Sequence, residues 1–335
     1  MILHPGIKVN LGLDILRKRP DGYHDIETLF VPCDDFHDTL EVVPADDPSL
    51  LAFELLKEAG ADGRGLFDVD GREQPEGDGA ASQKSLAGGQ MVQSLRQEIA
   101  EDGKVMMTIF RVEGVDWDPL KDLCVKAYRL LEANFKLPAV KIVLKKGSPV
   151  GAGLGGGSAD AACTLQALNA LFALGLSDDA LAAYAARLGS DCAFFIYNAP
   201  AAISSIAGSA TPAGLAVPTR PRPMLGSGRG EILKDFPMGN FFDRYRIRVY
   251  IPEGISVSTA QAYAGVTPSI PDTPLAERLA EPVERWKDCV TNAFEPGIVA
   301  LHPTLAALKA RIFADGALYA SMSGSGSAFF GIFPL

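Results

Sequence analysis

The chain has 335 residues, of which 47% are hydrophobic, enough for one large or two ordinary domains with a sizeable core. Lys+Arg 31 against Asp+Glu 41 gives a net charge of −10, and no basic cluster stands out, which argues against a nucleic-acid partner. Five scattered cysteines without metal-ligand spacing read as free thiols of a reducing, cytoplasmic setting. No apolar run approaches the ~18 residues of a membrane span, and the N-terminus has neither the basic nor the apolar region of a signal peptide.

Ile7, Val9, Leu11 and Leu13 alternate with Lys8, Asn10 and Gly12, which predicts a strand with one buried face. By pattern alone Lys8 and Asn10 share the solvent face. Arg17 to His24 then reads Arg-Lys-Arg-Pro-Asp-Gly-Tyr-His, and Pro-Asp-Gly is a turn signal. The turn sets Tyr23 beside His24, a pair that can simply pack or can stack on a heterocycle and bond its edge. Residues 40–43 predict another strand. From about 45 to 104 the composition changes. Residues 71–89 hold too few large apolar side chains to offset the entropy of ordering and read as mobile. The flanks, 51–57 and 91–99, read as short helices. Residues 105–112 predict a strand, and Leu123, Ala127, Leu130 and Leu131 a helix that begins Lys121-Asp122-Leu123.

Val140, Ile142 and Leu144 alternate with lysines and predict a strand leading through Lys146 to Pro149-Val150-Gly151-Ala152-Gly153-Leu154-Gly155-Gly156-Gly157-Ser158. Ala162, Leu165, Leu168, Leu171 and Phe172 follow at helical spacing, with Gly175 as the expected stop. A strand, a glycine loop and a helix start offer backbone N–H groups and a helix dipole to a phosphate. No Gly-Lys-Ser/Thr closes the loop, so it is not a P-loop. Gly151, Gly153 and Gly156 form a G-x-G-x-x-G. However, Gly147-Ser148-Pro149 separates it from the strand, and the acids at the right distance, Asp178 and Asp179, sit at a helix start. Both facts argue against a dinucleotide turn. Ser177 caps that next helix, which stops at Gly189. Asp191 follows, between Gly189 and an apolar run, where an acid is either a helix cap or a general base. Residues 208–227 read as a linker. Ile247, Val249 and Ile251 predict a strand, Tyr263 ends Ser-Thr-Ala-Gln-Ala-Tyr, and residues 305–312 read as a helix. Met322-Ser323-Gly324-Ser325-Gly326-Ser327 makes a second glycine turn.

Residues Pro149 to Ala162 resemble the ATP-binding motif of the GHMP kinases. Lys8-x-Asn10, Gly189-Ser190-Asp191 and Met322 to Ser327 resemble that family's other signatures, in the same order. The resemblance implies an α+β, two-domain GHMP kinase fold. Its N-terminal domain, 1–207, would be like ribosomal protein S5 domain 2, with an insertion at about 45–104. Its C-terminal domain, 208–335, would be ferredoxin-like, with a loop insertion at about 208–227. It implies ATP and Mg²⁺, with ATP held by Pro149, Gly151, Gly153, Leu154, Gly155, Gly156, Gly157, Ser158 and Lys146. Asp191 would be the catalytic base, Lys8 its partner, and Asn10 would orient the acceptor.

Ala193 replaces the family's usual proline, and Asp122 an asparagine that lies near the nucleotide. Arg-Pro-Asp-Gly-Tyr-His narrows the resemblance to a member whose small-molecule acceptor carries a cytidine diphosphate group. There Tyr23 would stack on the cytosine, His24 would bond it, and Tyr263 would be a second wall. A ligand-binding relative without activity would lack Lys8 or Asp191, and both are present. No residue set for the metal stands out, and monomer or homodimer both fit.

Overall fold

The computed structural model describes residues 1–58, 95–198 and 221–335. The expected mobile stretch at 71–89 and the linker residues 208–220 lie outside the described residues. In chain order the strands begin with β1 (Ile2–Leu3), β2 (Ile7–Lys18), β3 (His24–Cys33), β4 (Thr39–Pro44), β5 (Leu95–Ile99) and β6 (Val105–Phe110). They continue with β7 (Val140–Lys145), β8 (Met224–Ser227), β9 (Ile232–Asp235), β10 (Tyr245–Tyr250), β11 (Tyr319–Met322) and β12 (Phe329–Pro334). They form three sheets, in the orders β1-β4-β7-β6-β5, β2-β3-β8-β9 and β10-β12-β11. All pairings are antiparallel except β6 with β7.

The helix Gly156–Leu171 is the centre of the N-terminal half. From Ala159 to Leu168 every residue is buried, as expected for a helix packed on all sides. It packs against the helices Leu123–Glu132, Asp178–Leu188 and Cys192–Tyr197. The helix ends at Leu171, not at Gly175. Phe172 leaves helical geometry, and Ala173 takes a positive φ of 47°. Ser177 caps the next helix through Ala180 N, as its sequence predicts.

One further expectation changes. Residues 95–99 are not helical, for β5 runs beside β6 from Leu95↔Phe110 to Ile99↔Met106. Its charged Arg96 and Glu98 suit an edge strand exposed on one side, and pairing outweighs local propensity. Strands β8 and β9 lie after residue 208, yet β8 pairs with β3 (Thr28↔Gly226 to Phe30↔Met224) and β9 with β8. The sheet that β2 and β3 begin is therefore completed by residues up to Asp235.

β2 positions the site. Its partners on β3 run Leu11↔Leu29 and then Leu13↔Thr28, so Gly12 is an extra residue, a β-bulge. Gly12 has φ 73°, and a Cβ there would lie 2.5 Å from Leu275 Cδ1. The bulge reverses the alternation. Ile7, Val9 and Leu11 enter one core with Trp286, Tyr319 and Phe330, whereas Leu13 and Ile15 enter another with Phe294, Ile298 and Phe329.

Candidate active site

Lys8 and Asn10 are each only 2% exposed. The face expected to meet solvent is covered by the glycine loop. Lys8 N donates to Leu154 O at 2.9 Å, and Lys8 Nζ to Gly153 O at 3.0 Å. The ammonium also donates to Asn10 Oδ1 and lies 3.1 Å from Asp191 Oδ2. These partners match the three N–H donors of a lysine. Asn10 Nδ2 donates to Thr28 Oγ1 at 3.0 Å, and that hydroxyl donates to Gly12 O at 2.6 Å. Asn10 therefore holds Lys8 in place.

Asp191 stands at the start of the helix Cys192–Tyr197, but its side chain makes no capping bond. The helix-cap reading of this acid fails. Its carboxylate is turned to Lys8 instead and stays 29% exposed. Ala193, in place of proline, is buried within that helix.

The second glycine turn braces the first. Ser323 Oγ donates to Gly153 O at 3.1 Å and accepts from Asn10 N at 3.2 Å. Gly153 has φ 78°, and a Cβ there would overlap Ser323 O. Pro149 to Ser158, with Trp117, Asp122, Lys146 and Asp160, line a cavity of about 380 Å³. Gly155 immediately precedes the helix Gly156–Leu171, so that helix's N-terminus opens here and favours anions.

Lys146 is not a solvated strand end. It is 8% exposed, and its Nζ donates to Asp38 and, at 2.8 Å, to Asp160 Oδ2. Burial alone would lower the Lys146 ammonium, but Asp160 and Asp38 hold it above the ordinary lysine range. Burial pushes the Asp160 acid well up, against the pull of Lys146. Asp122 caps the helix Leu123–Glu132 through Cys124 N (2.9 Å) and accepts from Trp117 Nε1 at 3.1 Å. The departure from the family's asparagine thus fixes an indole on the cavity wall.

Tyr23 is 54% exposed, and the Arg229 guanidinium lies 4.9 Å from the centre of its ring. His24 stacks on Tyr263 with ring centres 4.6 Å apart and 18° between planes. That spacing leaves no slot between the two rings, so Tyr263 backs His24 and is not a bare second wall. Phe294 meets Tyr263 edge-on. Burial and then the charge of Asp191 raise the Tyr263 hydroxyl, so the two side chains feel one another.

Sequence reasoning missed Asp38, Thr28, Trp117, Asp160 and Arg229. Only Arg229 carried a local signal, being flanked by Gly228 and Gly230 in a turn. Among the described residues no group of three or more His, Cys, Asp or Glu could hold a metal, and no single helix is long and apolar enough to cross a membrane.

The chain matches the family model described as GHMP kinases N terminal domain over residues 122–199, and GHMP kinases C terminal over 276–335. It is similar to a 4-diphosphocytidyl-2-C-methyl-D-erythritol kinase of Bacteroides thetaiotaomicron, at 35% identity over 99% of this chain and 92% of that one. A protein of the same name from Cytophaga hutchinsonii is 32% identical with the same coverage. A crystal structure of 4-(cytidine 5'-diphospho)-2C-methyl-D-erythritol kinase superposes with TM-score 0.61 at 28% identity, covering 99% of this chain and 89% of that one. A mevalonate kinase at 12% identity, covering 99% and 91%, shares the fold with TM-score 0.52. The glycine loop, the braced second turn and these full-length likenesses lead to one conclusion: the chain belongs to the GHMP kinase family and is an ATP-dependent small-molecule kinase.

Proposed function

We propose that the chain transfers the terminal phosphoryl group of ATP to the 2-hydroxyl of 4-diphosphocytidyl-2-C-methyl-D-erythritol, within the non-mevalonate route to isoprenoid precursors. The observation that carries the reaction is the Lys8–Asp191 pair, 3.1 Å apart and tied by Lys8 to the carbonyl of Gly153 in the phosphate loop. The substrate rests on the full-length relatives of that name and on Tyr23 and His24 at the other end of the cleft.

Phosphoryl transfer asks a protein for position and charge compensation more than for covalent help. The amides of Gly151 to Ser158 hold the ATP phosphates, and Lys146 adds charge from below. Asp191 takes the acceptor proton, a role worth typically about 10²–10⁴ in rate. Lys8 keeps that carboxylate aimed and offsets negative charge on the transferring group. The cytosine stacks on the open side of Tyr23 while His24, steadied by Tyr263, meets its edge. With no protein cage among the described residues, Mg²⁺ fits as a metal carried by phosphate oxygens and water. When bound it supplies charge neutralisation on the phosphates. The free thiols and the pathway suit the cytoplasm, and the protein would act as monomer or homodimer.

The test is ADP release with Mg-ATP and the cytidyl alcohol, beside mevalonate and homoserine, for wild type and Asp191→Asn. Turnover restricted to the cytidyl alcohol, and largely lost in the variant, is expected. Turnover with another alcohol instead would discard the base-binding role of Tyr23 and His24. Absence of any turnover would remove the kinase reading of this substrate set.

A further inference from the structure

Beneath the glycine loop lies a cluster of which the reaction scheme uses only Lys146. Asp38 sits in the connection between β3 and β4 and is fully buried. One carboxylate oxygen accepts from Gly147 N and Ser148 N, both at 2.7 Å. The other accepts from Ser148 Oγ at 2.8 Å and from Lys146 Nζ. One side chain thus holds three consecutive residues at the entrance of the loop, from a position more than a hundred residues earlier in the chain. Lys146 in turn reaches Asp160, in the second turn of the loop helix.

We propose that Asp38 is a positioning residue for ATP, fixing the loop entrance through Gly147 and Ser148 and presenting Lys146 to the phosphates. The inference rests on the reading of the adjoining cavity as the ATP site. Lys146 and Asp160 both line that cavity. A lysine ammonium has three N–H donors. Two are taken by Asp38 and Asp160, which leaves one for a ligand. Two fixed partners determine where that third donor lies, and with Asp160 alone it would sweep a cone. Asp160 Oδ1 has no hydrogen-bond partner, so Asp160 is the less committed of the two anchors. Close packing adds to the constraint, since a Cβ on Gly156 would meet the Ser148 side chain (Cβ at 3.3 Å) and come within 3.5 Å of Lys146 Nζ. A shift of the loop entrance is therefore passed directly to the first turn of the helix that meets the phosphates.

The experiment compares wild type, Asp38→Asn, Lys146→Met and the double variant in steady-state kinetics with both substrates, and in calorimetric titration with a non-hydrolysable ATP analogue. Asn keeps an oxygen for the two amides but turns an uncharged amide toward Lys146. KM for ATP and the analogue Kd should rise about tenfold, the scale of one charge-assisted hydrogen bond. KM for the acceptor should stay within about twofold and kcat at saturating ATP within about threefold, a split that general loosening of the fold would not give. The double variant should bind ATP no more weakly than Lys146→Met alone, because the two act as one unit. Unchanged ATP affinity in a folded Asp38→Asn, equal rises in both KM values, or additive losses in the double variant would overturn the proposal. If Asp38→Asn does not fold, Ser148→Ala decides. A rise confined to KM for ATP supports the proposal, and no rise overturns it. Wild type that fails to bind the analogue would remove the ATP-site reading itself, a separate failure.

Discussion

Gly151 and Gly153 allow the loop geometry to be tested with an internal control. Their backbones are alike, with φ 72° and 78°. Their surroundings are not, since a Cβ at Gly151 meets nothing within 4 Å. A Cβ at Gly153 overlaps Ser323 O and lies 3.0 Å from Gly326 O and 3.1 Å from Gly326 N, all backbone atoms that cannot rotate away. An alanine in the left-handed region costs roughly 1–2 kcal/mol at either position. At Gly153 the second glycine turn must also retreat by about 1 Å to restore ordinary contact. That retreat breaks the Ser323 Oγ bond to Gly153 O and shifts the oxygen that holds Lys8 Nζ. A misplacement of about 1 Å in a catalytic group can cost on the order of 10² in rate. Gly151→Ala should therefore lower Tm by about 1–3 °C, using about 0.7 kcal/mol per degree for a chain of this size, and keep kcat within about threefold. Gly153→Ala should lose about 10² in kcat and a larger increment of Tm. The assays are thermal unfolding and steady-state ADP release on purified variants. Equal losses in the two variants would refute the claim that close approach of the turns, rather than backbone conformation, is what glycine provides at 153.

Tyr23→Ala should raise KM for the cytidyl substrate about 5- to 100-fold, the range of one base–aromatic stack, and leave KM for ATP alone; a parallel rise in both would discard the stacking role. Asp102 is held at about 2 instead of its ordinary 3.8, first by side-chain hydrogen bonds from Arg129 and then by the Lys104 amide. A carboxylate depressed by folding stabilises above its unfolded value, and that stabilisation is lost as pH falls from about 4 to about 2. Asp102→Asn should thus lower Tm at pH 6, with the gap closing near pH 2, and a gap independent of pH would contradict the pairing. Cys33, Cys124, Cys163 and Cys192 are buried, and burial pushes the Cys192 thiol up to about 12. An aromatic disulfide reagent at pH 8 should titrate one thiol, Cys289, in the native protein and five after unfolding; rapid reaction of a second native thiol would contradict the packing.

Much of the site was legible because each of its parts is local. The glycine loop, the Lys8 strand, the Asp191 segment and the second turn each occupy a few consecutive residues whose chemistry is plain without partners. What escaped depends on contacts across long separations. Asp38 and Lys146 are 108 apart in sequence, and neither segment hints at the other. Alternation in β2 marked Lys8 and Asn10 as exposed because a strand pattern records polarity, not what lies above it. Residues 91–99 carry enough charge and leucine to read as helix, and only the edge of β6 makes 95–99 a strand. The ring of Tyr263, read as a second wall for the base, is taken on one face by His24, a pairing between residues far apart in the chain. Composition shifts at 208, yet β8 and β9 beyond it complete the sheet that β2 and β3 begin, a pairing that no local pattern announces.

The bulge at Gly12 has a consequence for how this enzyme could diverge. A strand that kept strict alternation would commit every side chain along its length to one pair of environments. Here the phase slips at Gly12, so Ile7, Val9 and Leu11 answer to one core and Leu13 and Ile15 to another. Changes in separate cores combine nearly independently. Packing changes around Leu13 and Ile15 can therefore accumulate without disturbing those around Ile7, Val9 and Leu11. A single glycine in this way lets one continuous piece of backbone serve two cores whose packing can be altered separately.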